Sequence, residues 1–404
     1  MGESLMNTRI KGADGFRAIA CMMVLYHHVM QRLDPVASPV WVQVIQYMGM
    51  RGEVGVSIFF VLSGCLLATP FWNAFIGHTP QPKMRTYFQN RAARILPSYY
   101  LILILSAFLA VKIIDFKIVW SRIIAGLLLV SHFHWNTFFA SELDPPLWTI
   151  TLEIWSYILL PLVLFSIFWK ARTVRSAAIG MGIWIVFLQS LQPLLIKFFM
   201  TDDYLKGWEW GWAGGAKLWL PYWNLASFFT QFLLGACAAL YISNKKSKGT
   251  QPSKKYDLLS LAGILVAFVL IQVRLIPGVP DAITRQPYLS PVYAALVAFA
   301  LATVPFSTFL GNFLEMRFFK RVATLSFGLY LWHYMIMQIW QNKMDDTYYY
   351  YGTINLGRWA DSTLLVILLT WVFAEISWKF LEAPILRKSR ANIEKREARQ
   401  LTSL

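Results

Sequence analysis

The segment DGFRAIACMMVLYHH, residues 14–28, places ionisable side chains inside an otherwise apolar run. Arg17 and His28 are eleven residues apart, so in an α-helix they lie on one face, about 20° apart around the axis and about 16 Å apart along it. Asp14 precedes Arg17 by three residues and can hold its guanidinium in place, whereas His27 points about 100° away from His28. Ionisable groups within a membrane helix are costly, so this aligned cation and imidazole are a candidate functional site. The alternative is a snorkelling arginine and a histidine bonded to a neighbouring helix.

Other polar side chains lie in apolar surroundings farther along the chain. Glu153, in LWTITLEIWSYILLP, has no basic residue within a helical turn, so it must be protonated or paired with another helix. His333, in LSFGLYLWHYMIMQ, fits either a functional site or the aromatic belt of a membrane interface. Arg91 and Arg94, in NRAARILPSYY, fit either membrane anchoring or a phosphate site, because guanidinium groups match phosphate oxygens. Ser63, next to a glycine in SIFFVLSGCLL, is typical of close helix packing.

Membrane helices must position these side chains, because 57% of the 404 residues are hydrophobic and only 14% are charged. Apolar runs of about 18 to 25 residues, long enough to cross about 30 Å of hydrocarbon, recur along the chain. These windows are about 16–33, 54–76, 97–114, 150–169, 176–199, 222–243, 257–273, 289–309, 323–340 and 361–380. A further window, about 119–138, is interrupted by His132, His134 and Asn136. The sequence therefore predicts an all-α polytopic integral membrane protein with about ten transmembrane helices plus a short or re-entrant segment.

The net charge of +16 comes from basic segments that alternate with loops poorer in Lys and Arg. The basic segments are KMRTYFQNRAAR (83–94), KARTVR (170–175), NKKSKGTQPSKK (244–255), EMRFFKR (315–321) and RKSRANIEKREAR (387–399). This positive-inside pattern predicts that both termini are cytoplasmic, and anionic lipid headgroups explain the charge without nucleic acid. Since 83–94 and 170–175 are both basic, an even number of crossings separates them. One of the windows 97–114, 119–138 and 150–169 therefore fails to span, and 119–138 is our choice.

The composition predicts one membrane domain, residues 1–386, followed by a basic cytoplasmic tail, residues 387–404. The three cysteines lie in apolar windows and imply no disulfide framework. The Arg–His helix has no counterpart in the second half of the chain, which argues against a transporter, the rival class of polytopic protein. The tyrosine run 348–351 fits either sugar stacking or an interfacial belt.

Six segments, in order along the chain, resemble the acyltransferase-3 (membrane acyltransferase) family. DGFRAIACMMVLYHH resembles its first-helix signature, an arginine and a histidine with ten residues between them. GVSIFFVLSGCLL and NRAARILPSYY are similar to the next two, although Ser57 stands where an acidic residue is frequent and Asn90 replaces the first of a usual arginine pair. DPPLWTITLEIWSYILLP resembles the tryptophan-to-glutamate motif, with Thr149 where serine is common. LSFGLYLWHY and FLEAPILRK resemble the last two blocks.

The resemblance implies transfer of an acyl group, usually acetyl, from a coenzyme A thioester to a carbohydrate hydroxyl, for example of O-antigen or exopolysaccharide. The expected catalytic residues are His28, Glu153, Arg17 and Asp14, with Glu153 orienting the His28 imidazole or sharing its proton. The expected donor-binding residues are Arg91, Arg94, Arg17, Ser63 and His333. Direct transfer and an acyl-histidine intermediate both remain open.

Acetyl-CoA is the expected acyl donor, and no metal is expected. The expected partners are a carbohydrate acceptor and the lipid bilayer, with no nucleic acid. Family members often carry a hydrolase-like extracytoplasmic domain, which the short basic tail does not provide, so the expectation leaves room for a separate extracytoplasmic partner. The expected location is the bacterial inner (cytoplasmic) membrane. Acylation of a small molecule or a lipid-linked intermediate on the cytoplasmic side is the alternative within the same class.

Overall fold

The computed structural model describes residues 9–113, 119–272 and 285–402, without the side chains of 208, 210–213 and 397–402. These described residues form helices joined by short turns, and they contain no β-strand. The α-helices, numbered along the chain, are α1 (Ala13–Met30), α2 (Val40–Met50), α3 (Gly55–Phe75), α4 (Met84–Ile113), α5 (Trp120–Leu127), α6 (Trp135–Phe138), α7 (Trp148–Lys170), α8 (Val174–Ser190), α9 (Gln192–Phe199), α10 (Gly211–Trp219), α11 (Leu225–Ser247), α12 (Lys254–Leu270), α13 (Ser290–Thr303), α14 (Leu310–Phe313), α15 (Arg317–Lys343), α16 (Leu356–Ser377) and α17 (Ala383–Thr402). Segments of 3₁₀-helix occur at Arg51–Val54, Ser131–Phe133, Pro145–Leu147, Tyr204–Trp210 and Val304–Phe306. Segments of π-helix occur at Arg285–Leu289 and Trp378–Glu382.

Seven helical stretches among the described residues are long and apolar enough to span a membrane. They are Val40–Phe75, Met84–Ile113, Pro145–Lys170, Val174–Phe199, Leu225–Ser247, Arg285–Phe306 and Leu356–Arg396. The all-α polytopic class is therefore confirmed, but the count of about ten is not. The windows predicted at 16–33, 257–273 and 323–340 do form the helices α1, α12 and α15, which are not among the seven. The helix α12 has only 17 residues, and the 18 residues of α1 include Asp14, Arg17 and two histidines, which lower its mean hydropathy.

The window 119–138 is divided into α5, a single 3₁₀ turn and α6, so it does not form one continuous helix. The helices on either side of it, α4 and α7, are both long enough to span, which agrees with the choice of 119–138 as the short segment. Polar groups hold the segment against the bundle. Trp155 donates its indole N–H to the Leu129 carbonyl at 2.9 Å, and Arg122 pairs with Glu142. Irregular backbone at membrane depth requires such internal partners.

Three basic segments that the charge pattern places in loops are largely helical instead, among them residues 317–321 at the start of α15. The helix α4 begins at Met84 rather than near residue 97, and so includes the first basic segment. Residues 387–402 of the predicted tail belong to α17, which packs on α4 through Arg396, whose guanidinium donates to Gln89 Oε1 and Thr86 Oγ1 at 2.9 Å each. Arginine, lysine, glutamine and alanine are strong helix formers, so a basic stretch can continue a membrane helix beyond the bilayer.

The core of the bundle is formed where α3 crosses α11 and where α1 packs against α3 and α15. At the first crossing the helices touch through glycines. A Cβ on Gly64 would overlap the Phe232 carbonyl oxygen, and a Cβ on Gly235 would overlap the Val61 carbonyl oxygen. Small residues allow this backbone approach, which confirms the packing interpretation of the segment around Gly64. The close packing holds α1, α3, α7 and α15 around the polar side chains selected from the sequence.

Candidate active site

Two cavities lie along α1, one at Arg17 and one at His28. The smaller, here called the arginine cleft, encloses about 100 Å³. Its polar lining consists mainly of Arg17, Ser63, Arg91, Arg94, Glu153 and Tyr157. The larger, here called the histidine chamber, encloses about 850 Å³ and contains His28 in its lining. Val56 and Tyr330 line both cavities, so the two spaces meet across these side chains.

Glu153 of α7 lies in the arginine cleft, where two hydroxyl groups hold its carboxylate. Ser63 of α3 donates to Glu153 Oε1 at 2.8 Å, and Tyr157, one turn along α7, donates to the same oxygen at 2.5 Å. The sequence required a partner for Glu153 from elsewhere in the bundle, and α3 supplies it. The expectation that Glu153 orients His28 is corrected, because its hydrogen bonds in the described structure go to these hydroxyls. Ser63 likewise has a polar role beyond packing.

Arg91 and Arg94 extend from one face of α4 into the cleft, where Arg17 of α1 joins them. Arg94 Nη1 lies 3.9 Å from Glu382 Oε2, and its guanidinium faces the Trp378 ring at 5.6 Å. The structure thus brings together the three arginines proposed for the donor. Such a cluster suits an anion with several oxygens, because each guanidinium offers a planar set of N–H donors.

Asp14 lies at the start of α1, next to but outside the lining of the arginine cleft. Its carboxylate forms an ion pair with Arg9 at 2.7 Å, and Arg9 also pairs with Glu315 at 2.7 Å. Arg17 is a further electrostatic neighbour of Asp14, so the expectation that Asp14 positions the Arg17 guanidinium stays a prediction. Within the described residues its ion pair fastens the N-terminal segment to α1 and to the turn before α15.

His28 is half-buried on the wall of the histidine chamber, and His333 of α15 lies behind it. His333 Nδ1 lies 2.6 Å from the Tyr330 carbonyl oxygen, which can only accept, so Nδ1 carries the proton. With both rings neutral, His333 Nε2 then accepts from His28 Nδ1–H at 2.9 Å. This arrangement leaves the lone pair of His28 on Nε2, the nitrogen suited to take a proton or an acyl group.

His333 was assigned to the donor group from the sequence, but the structure places it against His28. Its side chain is 2% exposed and does not line the arginine cleft. The residues are 305 positions apart, so only the register between α1 and α15 reveals the contact. His27, in contrast, has both ring nitrogens engaged, with the Met50 carbonyl and the Gln31 amide at 2.9 Å each. Its nitrogens are occupied by structural contacts.

The wall of the histidine chamber combines aromatic rings with polar groups that sequence reasoning did not select. Its aromatic members include Tyr47, Phe139, Trp148, Trp219, Trp223, Tyr330, Tyr334, Tyr350 and Tyr351. The Tyr334 ring meets the His28 ring edge-on at 5.0 Å between centroids. Arg285 donates to Glu53 at 2.6 Å, and both side chains line the chamber. From the sequence, the tyrosine run 348–351 fits either sugar stacking or an interfacial belt, and two of its members line the chamber. Arg285 and Glu53 belong to no sequence motif, so sequence reasoning did not find them.

Comparison with known proteins places the chain in a family. The family described as "Acyltransferase domain" (Acyl_transf_3) matches residues 10–375. The O-acetyltransferase OatA of Staphylococcus aureus (strain NCTC 8325 / PS 47) is 27% identical over 395 residues, which cover 94% of this chain and 57% of OatA. The putative peptidoglycan O-acetyltransferase YrhL of Bacillus subtilis (strain 168) is 27% identical over 391 residues, covering 93% of this chain and 55% of YrhL.

The chain thus spans well under two thirds of the length of these curated relatives. No solved structure matches it. The family match covers nearly all of the helical bundle, including the helices that carry both cavities. The resemblance to the acyltransferase-3 family is confirmed, with five of the six sequence segments inside the matched residues, and the chain belongs to this family.

Proposed function

We propose that this protein transfers an acetyl group from acetyl-CoA, bound at the arginine cleft, to a hydroxyl of a cell-surface carbohydrate bound in the histidine chamber. The observation that carries the proposal is the pair of adjoining cavities on one face of α1. One cavity contains the arginines and the other contains the imidazole. Family membership and the printed names of the relatives, both O-acetyltransferases, support the acetyl group and the oxygen acceptor.

The donor site requires cations and a narrow passage. Acetyl-CoA has a bulky phosphorylated end, and a cleft of about 100 Å³ cannot enclose it. We infer that its phosphates lie at the mouth of the cleft against Arg91, Arg94 and Arg17, while the slim pantetheine arm extends past Ser63 toward Tyr330. The distance of about 16 Å from Arg17 to His28 along α1 suits an extended arm. His333 acts through His28 in this proposal and has no direct contact with the donor.

The chemical step uses the free lone pair of His28. Its Nε2 removes the proton from the acceptor hydroxyl as the hydroxyl oxygen attacks the thioester carbonyl carbon. The carbon–sulfur bond then breaks, and the imidazolium returns the proton to the departing thiolate, which leaves as coenzyme A. An acyl-histidine intermediate uses the same nitrogen. It is distinguished by acetyl label that stays on the protein when no acceptor is present.

The acceptor is proposed to be a carbohydrate because the chamber offers aromatic faces and paired polar groups. Its volume of about 850 Å³ is ample for a sugar unit of a glycan. Tyr350 and Tyr351 line the chamber and can stack on sugar rings, while Gln31 and Glu53 can bind hydroxyl groups. YrhL is named a putative peptidoglycan O-acetyltransferase, which supports a glycan of the cell surface; O-antigen and exopolysaccharide belong to the same class of acceptor.

The test uses the purified protein in liposomes with radiolabelled acetyl-CoA and soluble glycan fragments from several surface polysaccharides. We expect alkali-labile acetyl ester on a glycan with the native protein and with His78→Ala, a change in an exposed loop, but none with His28→Ala. Equal label transfer by His28→Ala, or transfer to no glycan by the native protein, would overturn the proposal. Label on a lipid or a small molecule would favour the alternative acceptor class.

We further propose that the protein resides in the bacterial inner membrane with both termini and the arginine cleft facing the cytoplasm. The basic segments support this orientation. Single cysteines in a cysteine-free background test it. Asp346→Cys, at a position whose side chain is 94% exposed, is expected to react with an impermeant maleimide in intact cells, whereas Ser247→Cys is expected to react only after the membrane is opened. The reverse pattern would place the donor arginines on the wrong side.

A further inference from the structure

The carboxylate of Glu382 is buried behind the arginine cleft, in the turn between α16 and α17. Glu382 is 3% exposed and does not line the cleft itself. Its Oε1 accepts a hydrogen bond from Ser377 at 3.2 Å. Its Oε2 lies 3.9 Å from Arg94 Nη1 and has no hydrogen-bond partner among the described residues. One oxygen is thus anchored to the protein, and the other faces a donor-site cation.

The contact between Glu382 and Arg94 is looser than other ion pairs of this molecule. Arg9 and Asp14 approach to 2.7 Å, and Arg285 and Glu53 to 2.6 Å, which are distances typical of charge-assisted hydrogen bonds. A separation of 3.9 Å provides electrostatic attraction without a hydrogen bond. Arg94 is therefore held near a carboxylate while its N–H groups are not saturated by it.

The charges around the cleft favour a second anion. Three guanidinium groups line it, whereas Glu153, the carboxylate in its lining, accepts from the hydroxyls of Ser63 and Tyr157. A phosphate group that enters the cleft competes with Glu382 for Arg94. Resting on the proposed function, we propose that Glu382 is a positioning residue that serves as a stand-in anion for Arg94 and so sets the affinity of the cleft for the phosphate groups of the donor.

The experiment measures coenzyme A binding and transfer kinetics with the full chain in nanodiscs. Glu382→Gln removes the charge and keeps an oxygen that can accept from Ser377. Because the phosphate then has no competitor, we expect about tenfold tighter binding of coenzyme A. The KM for acetyl-CoA should fall by a similar factor while kcat stays unchanged. Weaker binding, or a lower kcat with KM unchanged, would show that Glu382 only supports the fold and would overturn the inference.

A matched control lies on α16, the helix that precedes this turn. Glu375 of α16 pairs with Arg321, away from the cleft, and Glu375→Gln should leave coenzyme A affinity unaltered. In an Arg94→Ala background the effect of Glu382→Gln should vanish, because the two act through one contact. If Glu382→Gln does not fold, Glu382→Asp withdraws the charge from Arg94 by one carbon and should tighten binding in the same direction. No change in either variant would refute the inference.

The same measurements separate this inference from the function on which it rests. If the native protein binds coenzyme A and the Glu382→Gln variant binds it no more tightly, only the role of Glu382 is refuted. If the native protein binds neither coenzyme A nor acetyl-CoA, the proposed donor is refuted, and the role of Glu382 with it. Dephospho-coenzyme A provides a further comparison. If Arg94 contacts the 3′-phosphate, Glu382→Gln should increase the affinity for dephospho-coenzyme A less than the affinity for coenzyme A.

Discussion

The arginine cleft and the histidine chamber lie on one face of α1 but differ in size and charge. The cleft is about 100 Å³ and is lined by three guanidinium groups, whereas the chamber is about 850 Å³ and is largely aromatic. In the cleft the polar atoms are placed for ionic contacts. In the chamber the imidazole pair is arranged by neutral hydrogen bonds. In the proposed function, recognition of charge and transfer of protons therefore use different parts of the same helix.

This separation has a physical reason. A histidine that acts as a base becomes an imidazolium, and nearby guanidinium groups would disfavour that cation by repulsion. Along α1 the Arg17 and His28 positions are about 16 Å apart, a distance at which Coulomb repulsion is about a quarter of its value at 4 Å in the same medium. Spacing along one helix therefore lets strong phosphate binding coexist with a basic imidazole. The following variants test whether the two cavities are separable in this way.

The largest effect is expected in the chamber, from His28→Ala. Loss of the general base should lower kcat by about 10²–10⁴-fold, while the KM for acetyl-CoA stays near its native value because the cleft is intact. His27→Ala should keep most of the activity, since both ring nitrogens of His27 are occupied by structural contacts. Acetyl transfer would be measured at equal protein abundance. Equal losses in both variants would mean that the chamber tolerates no change, rather than that His28 is the base.

A smaller loss is expected from His333→Ala, which leaves the base but removes the group that orients it. We expect kcat to fall by about 10- to 100-fold, in line with the loss of second-layer contacts at other catalytic sites, with the KM for acetyl-CoA unchanged. His333→Gln should recover part of the activity because its amide oxygen can accept from His28 Nδ1–H.

The double variant His28→Ala/His333→Ala provides the check on this coupling. It should be no slower than His28→Ala alone, because His333 acts only through His28. Additive losses would separate the two residues and return His333 to an independent role, such as the donor binding expected from the sequence.

The local part of this arrangement could be predicted from the sequence, because helical geometry fixes it. Arg17 and His28 share a continuous helix, and eleven residues set their alignment. The partners across the bundle could not be predicted. Ser63 is 90 positions from Glu153, and His333 is 305 positions from His28. Such contacts depend on the register of packed helices, which no short motif encodes.

The errors have a common cause as well. Glu153 lies in the arginine cleft rather than beside His28, and His333 lies behind His28 rather than at the donor arginines. Residue type alone does not show which helix faces each side chain. Spacing pairs Asp14 with Arg17, but it does not show that Arg9, just before α1, also forms an ion pair with Asp14. The charge pattern predicts a loop before residue 97, whereas the helix propensity of the same residues extends α4 back to Met84. In each case the residue type and its local spacing can be read from the sequence, and the three-dimensional partner cannot.

In the cleft we expect an effect on binding of about tenfold for each arginine. Arg91→Ala and Arg94→Ala should each raise the KM for acetyl-CoA by roughly tenfold with little change in kcat, since one charge-assisted contact to phosphate is lost. The KM of the acetylated dephospho-CoA donor should then differ from that of acetyl-CoA much less than it does with the native protein. The pattern is the opposite of that for His28→Ala. If only membrane insertion changes, as judged by protein abundance and labelling of Ser247→Cys, the arginines serve as anchors.

The smallest effect is expected at the rim of the chamber, where aromatic rings contact the acceptor. Tyr350 lines the chamber and is 47% exposed, so Tyr350→Ala should raise the KM for the glycan by about threefold, the scale of one exposed stacking contact of 0.5–1 kcal/mol. Tyr349 is 50% exposed but does not line the chamber, so Tyr349→Ala is the matched control. The KM for acetyl-CoA should be unchanged in both. A changed KM for acetyl-CoA in Tyr350→Ala would show that the rim of the chamber influences donor binding in the cleft. The two cavities would then not be functionally separable.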